Sequence, residues 1–451
     1  MGYGASLISD DRVVLTRVGD EVFGSAPAPI QGLIEARGVG ILTCDAAEPV
    51  AIKVVVDMNR TETARLPECH STDLKKNYDM ATHSFNTTFA ELNVGCEACH
   101  GPGEQHQTLA AANKLAEAKN AGFPTALGQR GQWEFPAEAH IAKRRSELSS
   151  DAQIDSCGRC HSRRGTLGDY HYGADLLDTH RLALPQWPLY YHDGQIRDEV
   201  YVYGSFLQSR MYQAGVQCGD CHEPHSLQLR ADGNALCVRC HAPEVFDQPS
   251  HHHHATGTAG SKCVDCHMPS RTYMVVDPRR DHGFRVPRPD LSVQLDTPNA
   301  CTQCHQDQSA QWAADAVKTW RGENAAAPPD HYASILTAAR TAPERSAKRL
   351  VQLAQDGGIA GIVRATALSL LRNSPDSELP AAVDVAARDP DGLVRLGAML
   401  CLDALPPDSR LQVGLAGLSD PVHAVRIEAA RQLVAVASRL PRDRQQAFRT
   451  A

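Results

Sequence analysis

The 451-residue chain has no apolar stretch that approaches the length of a membrane span, and it has no cluster of basic residues. A helix that crosses a bilayer needs about 18 or more consecutive apolar residues, so we expect no membrane span. The formal net charge is −8, and without a basic patch we do not expect nucleic acid as a partner. Long apolar runs are also scarce between Cys69 and His305, so this stretch needs another source of core.

Cysteine, in contrast, is concentrated in one block and in one pattern. Thirteen of the 15 cysteines lie between Cys69 and Cys304, and 12 of them form six C-x-x-C pairs that are each followed at once by histidine. The cysteines are Cys96, Cys99, Cys157, Cys160, Cys218, Cys221, Cys237, Cys240, Cys263, Cys266, Cys301 and Cys304, and the histidines are His100, His161, His222, His241, His267 and His305. Two thiols at this spacing reach both vinyl groups of one porphyrin, and the next imidazole binds its iron. The pattern predicts six covalently attached c-type haems, whose macrocycles would also supply the missing core.

Zinc is the alternative explanation of paired C-x-x-C units. A structural zinc site needs four ligands and gives no reason for a histidine after every pair. Histidine makes up 21 of 451 residues, so six chance occurrences are improbable, and redox-active pairs leave the histidine equally unexplained. A zinc-binding scaffold stays as the minor alternative. Cys44 and Cys401 stand apart in apolar surroundings and are expected to be small core residues.

Each haem iron has a second axial position, and its occupant decides the chemistry. A second histidine makes a low-spin electron carrier, whereas an open position can bind substrate. Four histidines in loops beside the motifs are predicted as second ligands: His106, His192, His225 and His282. The histidine run 251–254 offers one more ligand, with its other members solvated. This surplus favours electron transfer, and a haem oxidoreductase of small nitrogen or sulfur compounds with one open haem is the alternative.

The block from Cys69 to Trp320 resembles a family of bacterial multihaem cytochromes related to those of nitrifying bacteria. The similar segments are CHSTDLKKNYD, NVGCEACHGPG, VYVYGSFLQSRMYQAGVQCGDCHEPHS, CVDCHMPSRTYMVVDPRRDHGFRVPRPDLS and TPNACTQCH. The resemblance implies closely packed haems, mostly with two histidine ligands, that pass electrons to redox partner proteins outside the cytoplasm. One departure is Leu66, which stands where the family has the first cysteine of a further motif. Cys69 and His70 remain there, so a seventh haem attached through Cys69 alone stays open.

Residues 1–67 differ in character from this block. Their alternation of apolar and polar residues predicts short strands, and Asp10, Asp11 and the segment IEARGVGI resemble the latter half of HPr kinase/phosphorylase proteins. In that family the acidic doublet supplies the catalytic base, and the glutamate matching Glu35 helps to hold Mg²⁺. Such kinases need a G-x-x-x-x-G-K-[ST] loop for the phosphates, and this chain contains none. Asp10, Asp11 and Glu35 are therefore interpreted as an inactive remnant.

The two ends of the chain predict different compartments. Haem is attached to C-x-x-C-H outside the cytoplasm, so the haem block predicts a periplasmic protein. Residues 1–20 have no basic segment followed by an apolar one, as a signal peptide would. On this basis we expect the chain as written to stay in the cytoplasm without haem.

After Trp320 the composition changes to Ala, Leu and Val with helical periodicity. Val-Arg recurs at Val363, Val394 and Val425, at intervals of 31 residues, and Asp-Pro recurs at Asp389 and Asp420. Such a period is typical of an α-solenoid, here resembling HEAT repeats, which bind protein partners. An unspecialised helical bundle is the alternative.

The predicted fold class is therefore mainly α and irregular. We predict a small β-rich fragment (1–67), a multihaem block (68–321), a linker (322–330) and a short α-solenoid (331–451).

Overall fold

The computed structural model describes residues 94–450 apart from 129–130, 274–276, 323–328 and 375–378. It also describes residues 71–72, 75, 77–89 and 91–92, and the strands at 14–18, 21–25, 33–36, 40–43 and 50–51. The chain forms two compact units. The first contains Met1–Pro67, Asp73–Ala90 and Arg271–Arg279, and the second contains Glu68–Thr72, Glu91–Ser270 and Arg280–Ala451.

Helices dominate the second unit, and all the sheets are small. The strands are β1 (Val14–Val18), β2 (Glu21–Ser25), β3 (Leu33–Ala36), β4 (Gly40–Thr43), β5 (Val50–Ala51), β6 (Ser71–Thr72), β7 (Tyr78–Asp79), β8 (Ser84–Phe85), β9 (Glu91–Leu92), β10 (Trp133–Glu134), β11 (Lys143–Arg144), β12 (Arg164–Thr166), β13 (His180–Leu182), β14 (His222–Glu223), β15 (Gln228–Leu229), β16 (Ser270–Tyr273) and β17 (Asp277–Arg280). The helices are α1 (Cys96–His100), α2 (Glu104–Ala111), α3 (Ala152–His161), α4 (Tyr203–Phe206), α5 (Arg210–Gln213), α6 (Cys218–Cys221), α7 (Pro243–Phe246), α8 (Pro249–His252), α9 (Cys263–His267), α10 (Pro289–Leu295), α11 (Ala300–Cys304), α12 (Ala310–Arg321), α13 (Tyr332–Thr341), α14 (Ala347–Gln355), α15 (Gly361–Leu371), α16 (Leu379–Ala386), α17 (Gly392–Leu400), α18 (Pro407–Gly417), α19 (His423–Leu433) and α20 (Gln445–Thr450). This content agrees with the predicted mainly α and irregular fold.

The first unit contains short antiparallel strands. Strand β2 pairs with β1 and with β5, β3 pairs with β4, and β7 pairs with β8. Glu35 lies in β3 opposite Ile41. The other predicted positions of this part of the chain lie outside the described residues: Asp10, Asp11, Cys44, Leu66, Cys69 and His70.

In the second unit, the helices that carry the Val-Arg signature pack in series. Helix α15 packs on α17, and α17 packs on α19. Arg364 forms an ion pair with Asp389, and Arg395 repeats that pair with Asp420 at 2.7 Å between Nε and Oδ2. In both pairs the two residues lie 25 apart in the sequence, and each side chain is at most 12% exposed. The two periodic signatures of the sequence are thus the two partners of a recurring ion pair between successive helical layers.

The C-terminal helices share one core with part of the haem block. Ile154, Leu176 and Phe206 pack in the same apolar cluster as the residues of α13 to α19, and Cys401 is fully buried there, as expected. At the edge of this core, the Tyr332 hydroxyl donates to the Asp193 carbonyl at 2.7 Å. The backbone N–H of His423 donates to Asp178 at 2.9 Å. The helical array is therefore docked on the segment that follows the second C-x-x-C-H motif.

The remainder of the haem block has little apolar core of its own. Among the described residues between 208 and 332, the buried apolar side chains are Ala242, Pro289, Leu291 and Ala313. Four small or medium side chains cannot account for the ordering of more than a hundred residues, because each ordered residue costs about 1–2 kcal/mol of backbone entropy. This agrees with the expectation that the block needs another source of core. No helix in the described part of the chain is both long enough and apolar enough to span a bilayer.

Candidate functional site

Each C-x-x-C-H motif adopts one helical turn. Five of the six motifs lie in or at the end of α1, α3, α6, α9 and α11. In the fourth motif, the backbone N–H of His241 donates to the Cys237 carbonyl at 3.0 Å. A hydrogen bond between residues four apart is the one that closes a helical turn. Residues three and four apart share a face of a helical turn. The two thiols and the histidine of each motif therefore lie on one side of the backbone, as attachment to a single porphyrin requires.

Four motif histidines face a second imidazole at nearly the same separation. The ring centroids are 6.1 Å apart for His100 and His225 and 6.4 Å apart for His222 and His282. They are 6.1 Å apart for His267 and His251, and also for His305 and His254. In every pair, one histidine comes from a motif and the other from outside the motifs.

This separation fits two ligands on opposite sides of one iron. An imidazole nitrogen binds a transition metal at about 2.0 Å, and the ring centroid lies about 1.1 Å behind it, so two such rings have centroids about 6.2 Å apart. The four observed values of 6.1–6.4 Å agree with that distance. Rings in mutual contact would fall anywhere between about 4.5 and 7 Å. The residues present therefore fit a haem iron between each pair.

Hydrogen bonds set the tautomer that iron ligation needs. Nδ1 of His267 donates to the Arg285 carbonyl at 2.8 Å, and Nδ1 of His282 donates to the Arg280 carbonyl at 3.0 Å. Nδ1 of His254 donates to the carbonyl of His252 at 2.5 Å. A carbonyl can only accept, so the proton lies on Nδ1 and the lone pair of Nε2 is left for a metal.

Burial favours the neutral form of four of the paired imidazoles. It is the main cause that lowers the pKa of His100, His222, His251 and His282 below the usual value for histidine. Nearby imidazoles add to the effect at His100, where His225 and His106 both lower the pKa further. Since only a neutral imidazole binds a metal, burial prepares these side chains for ligation.

Two of the four predicted second ligands, His225 and His282, face a motif histidine; the other two have different partners. The ring of His106 lies 4.2 Å from that of Phe123, and its Nδ1 donates to the Ala121 carbonyl at 2.8 Å. The guanidinium of Arg340 donates to Nδ1 of His192 at 2.9 Å. A histidine that accepts at Nδ1 carries its proton on Nε2, so His192 in this arrangement has no nitrogen lone pair for iron.

Two histidines that face a motif histidine were not among those four predicted ligands. His251 and His254 both lie in the histidine run, in which one ligand was expected, and each faces a motif histidine. The ring of His253 instead lies on that of Trp320 at 4.1 Å. The histidine run was the sequence signal for these two positions, but four adjacent histidines do not reveal which of them face a motif histidine.

Two motif histidines remain, His161 and His241. His161 ends α3 and lies close enough to His282 to lower the pKa of that imidazole. His241 meets Phe246 at 5.5 Å with the two rings perpendicular. Within the described part of the chain, no second imidazole faces His241 at the separation seen in the four pairs.

The motifs lie beside one another in the order of the sequence. The Cys157 thiol lies beside that of Cys218, which raises the pKa of Cys157, and Cys263 raises the pKa of Cys237 in the same way. Burial raises the pKa of three further thiols, and a cysteine of the next motif raises each further: Cys157 for Cys99, Cys240 for Cys221 and Cys301 for Cys266. Among the motif cysteines, only Cys96 and Cys304, in the first and last motifs, are exposed. The motifs thus form a continuous series with accessible ends.

The arrangement gives the zinc alternative no support. A structural zinc site gathers four ligands. Among the described histidine, cysteine and acidic side chains, no three cluster in a way that could hold a metal ion.

Two family models match parts of the chain. The model for cytochrome c554 and c-prime matches residues 43–101, and the doubled CXXCH motif model matches residues 211–246, which include the third and fourth motifs. No curated protein matches the chain. Among solved structures, the chain is similar to the outer cell wall cytochrome OcwA, with a TM-score of 0.40 and 16% identity over 86% of this chain and 85% of that chain. The two family matches support a multihaem c-type cytochrome with covalently bound haem.

Proposed function

We propose that this protein carries electrons between redox partner proteins through six covalently attached haems, most of which have two histidine ligands. The observation that carries the proposal is the set of four motif histidines that each face a second imidazole at 6.1–6.4 Å. Haem iron with two imidazole ligands exchanges single electrons and leaves no position for substrate. The chain's own contribution is to place each imidazole opposite its partner, to lower the pKa of four of them by burial and to fix the proton of three on Nδ1.

The serial order of the motifs supports a relay. Each motif is close to the next one in the sequence, and the exposed thiols belong to the first and the last motif. An electron that arrives at one accessible end therefore has a continuous series of sites to the other end. We place the partner contacts of the relay at these two ends.

The remaining features of the chain complete the proposal. Similarity to the cytochrome c554 and c-prime family over residues 43–101 supports a location outside the cytoplasm, where such haems are attached. The recurring Arg–Asp pairs support HEAT-like repeats, whose outer surface would bind a protein partner. A seventh haem at Cys69 and His70, and an inactive kinase-like remnant at Asp10, Asp11 and Glu35, stay predictions.

The first experiment counts haems and ligands. The full chain is expressed behind an export signal together with a c-type maturation system, and intact mass is measured with a pyridine haemochrome spectrum. We expect six added haem masses and predominantly low-spin absorption in the oxidised protein. A mass without haem would overturn the proposal, and mostly high-spin haem would remove its bis-histidine part.

Single substitutions then test the pairs. His225→Ala is expected to convert one haem to a high-spin form that binds cyanide, because it removes the imidazole opposite His100. His192→Ala is the matched control, since Nδ1 of His192 accepts from Arg340. Equal spectra for the two variants would contradict the assigned pair.

Chemistry at an open haem is a second candidate function, and one observation favours it. Among the described residues, the ring that meets His241 is Phe246, which has no ligand atom. Titration of the oxidised protein with nitrite and with cyanide tests this. Binding of one cyanide equivalent to the parent protein, rising to two equivalents in His225→Ala, would support an open fourth haem, and no binding to the parent protein would exclude it.

A further inference from the structure

Arg159 lies within the second C-x-x-C-H motif, directly before Cys160, and it is 6% exposed. Residues three and four apart share a face of a helix, so the two thiols and the histidine of this motif lie on one side of α3 and Arg159 lies on another. Its guanidinium reaches the first motif, where Nη1 donates to the carbonyl of Ala98 at 3.3 Å. A buried cation that belongs to the second motif therefore lies against the first.

This cation has no acidic partner in the described part of the chain. No ion pair involves Arg159 there, and its buried Nε atom has no hydrogen-bond partner. The acid one turn earlier on α3 is Asp155, which accepts from the hydroxyl of Tyr203 at 2.8 Å. Burial raises the pKa of Asp155 to about 7, so at pH 6 this carboxyl is mostly neutral and does not offset the arginine.

Two tyrosine rings cover the guanidinium instead. The Cζ atom of Arg159 lies 4.4 Å from the ring centroid of Tyr170 and 5.7 Å from that of Tyr172. The Tyr172 ring also borders the first motif, because a Cβ on Gly101 would lie 3.1 Å from its Cγ. The face of an aromatic ring attracts a cation but adds no negative charge. Burial of a charge without a counter-charge is unfavourable, so its presence here calls for a functional explanation.

The electric field of Arg159 extends over the first motif. Burial raises the pKa of the Cys99 thiol, and the charge of Arg159 opposes that rise. Reduction of a haem iron adds one electron, so a fixed cation nearby stabilises the reduced form and raises the reduction potential. Burial strengthens this effect, because little water screens the charge.

We propose that Arg159 is an electrostatic tuning residue that raises the reduction potential of the first haem. The inference rests on the proposed attachment of a haem at Cys96 and Cys99, and it adds a direction to the relay. Because electrons move to the site of higher potential, this charge draws them towards the first end. Two unit charges about 10 Å apart at an effective dielectric constant of about 20 change an equilibrium by about tenfold or more. For a one-electron step, a tenfold change corresponds to about 59 mV.

The fourth motif contains a matched arginine. Arg239 also directly precedes the second cysteine of its motif, and its Nη1 donates to the carbonyl of Asp220 in the third motif at 2.9 Å. This bond is the counterpart of the one from Arg159 to Ala98. Arg239, however, is exposed, so solvent and salt screen its charge. Arg239→Met therefore removes the same kind of backbone contact without removing a buried cation.

The test is a spectroelectrochemical titration of the haem-loaded protein at pH 6, after intact mass has confirmed that each variant carries as many haems as the parent. The background is His225→Ala, in which the high-spin spectrum of the first haem can be followed apart from the other haems. In this background Arg159→Met should shift the redox equilibrium of the first haem about tenfold, lowering its potential by about 59 mV. An unchanged potential would overturn the proposal. A His225→Ala protein that stays fully low-spin would instead count against the proposed ligation.

Two more variants separate the charge from the packing. Arg159→Gln should lower the potential as Arg159→Met does, because both remove the cation. Arg159→Lys keeps a cation and should stay close to the parent potential. Equal shifts for the methionine and lysine variants would show that charge is not the cause, and would refute the proposal.

A titration with His225 intact decides the proposal independently of how the first haem is ligated. Arg159→Met should move the share of one haem in the titration curve to lower potential, and Arg239→Met should leave the curve unchanged. Curves displaced equally by both variants would assign the effect to the lost backbone hydrogen bond, and a curve displaced by neither would show that the buried charge has no effect. Either result contradicts the proposal.

Discussion

The carboxyl group of Asp155 lies in the shared core, two residues before the second C-x-x-C-H motif. It is 8% exposed, and the hydroxyl of Tyr203 donates to it at 2.8 Å. Burial raises its pKa from 3.8 to about 7, and the nearby carboxylate of Asp175 raises it further, while the Tyr203 hydrogen bond opposes the rise. Asp155 is therefore protonated in the folded protein at pH values at which it is ionised in the unfolded chain.

The sign of the effect on stability follows from this difference. Below pH 3.8 the carboxyl of Asp155 is protonated in both the folded and the unfolded state, so its burial costs no stability. Between pH 3.8 and about 7 the unfolded chain releases this proton and the folded protein keeps it. Stability is thus fully present at low pH and is lost as the pH rises through the folded-state pKa. One pKa unit corresponds to about 1.4 kcal/mol. A rise of about three units implies a total loss of about 4 kcal/mol, of which about 3 kcal/mol falls between pH 5 and pH 8.

The assay is denaturant unfolding of the haem-loaded protein at pH 5 and at pH 8, with Asp155→Asn as the reference. The asparagine keeps an acceptor for Tyr203 and cannot ionise, so subtracting its profile removes the titration of all other groups. We expect the free energy of unfolding of Asp155→Asn, taken relative to that of the parent protein, to rise by about 3 kcal/mol from pH 5 to pH 8. A difference that stays constant within about 1 kcal/mol would show that Asp155 ionises normally, and would refute the reasoning from burial.

Two further predictions concern the C-terminal helices. Arg395→Ala should lower the free energy of unfolding by about 3 kcal/mol, because it leaves the buried carboxylate of Asp420 without its partner. Arg388 is the control, because it is exposed and forms its ion pair with Asp384. Its replacement by alanine should lower the free energy of unfolding by less than about 1 kcal/mol. Gly397→Leu should cost about 3 kcal/mol, because a Cβ at this position would lie 2.8 Å from Cα of Ala365 on the neighbouring helix. Denaturant unfolding followed by circular dichroism measures all three, and equal losses for the two arginine variants would contradict the first expectation.

The motif geometry was predictable from the sequence because it is local. A C-x-x-C-H segment that forms one helical turn places its thiols and its imidazole on one side, whatever surrounds it. The repeat period was predictable for a similar reason, since identical dipeptides recur in identical positions. The partner within each repeat was not predictable: Arg395 pairs with Asp420, 25 residues on, and only the stacking of the helices brings the two together.

The imidazoles that face the motif histidines could be predicted only in part, because tertiary contacts determine which histidines they are. His225 and His282 were found from loop spacing, and each faces a motif histidine. His192 has an equally suitable loop, but Arg340 reaches it from 148 residues further along the chain. That single contact places the proton of His192 on the wrong nitrogen for ligation. Sequence spacing carries no information about an arginine so distant.

The histidine run has a physical role under the proposed ligation. Its first member faces His267 of the fifth motif and its last faces His305 of the sixth, so one short segment serves two neighbouring irons. On a continuous helix, residues three apart would share one face and point at the same iron. Helix α8 instead ends at His252, and His253 adopts a left-handed conformation with φ of 56°, which redirects the chain before His254. Because three residues of backbone span at most about 10 Å, this turn would hold the last two haems close together and would limit how far their separation can vary.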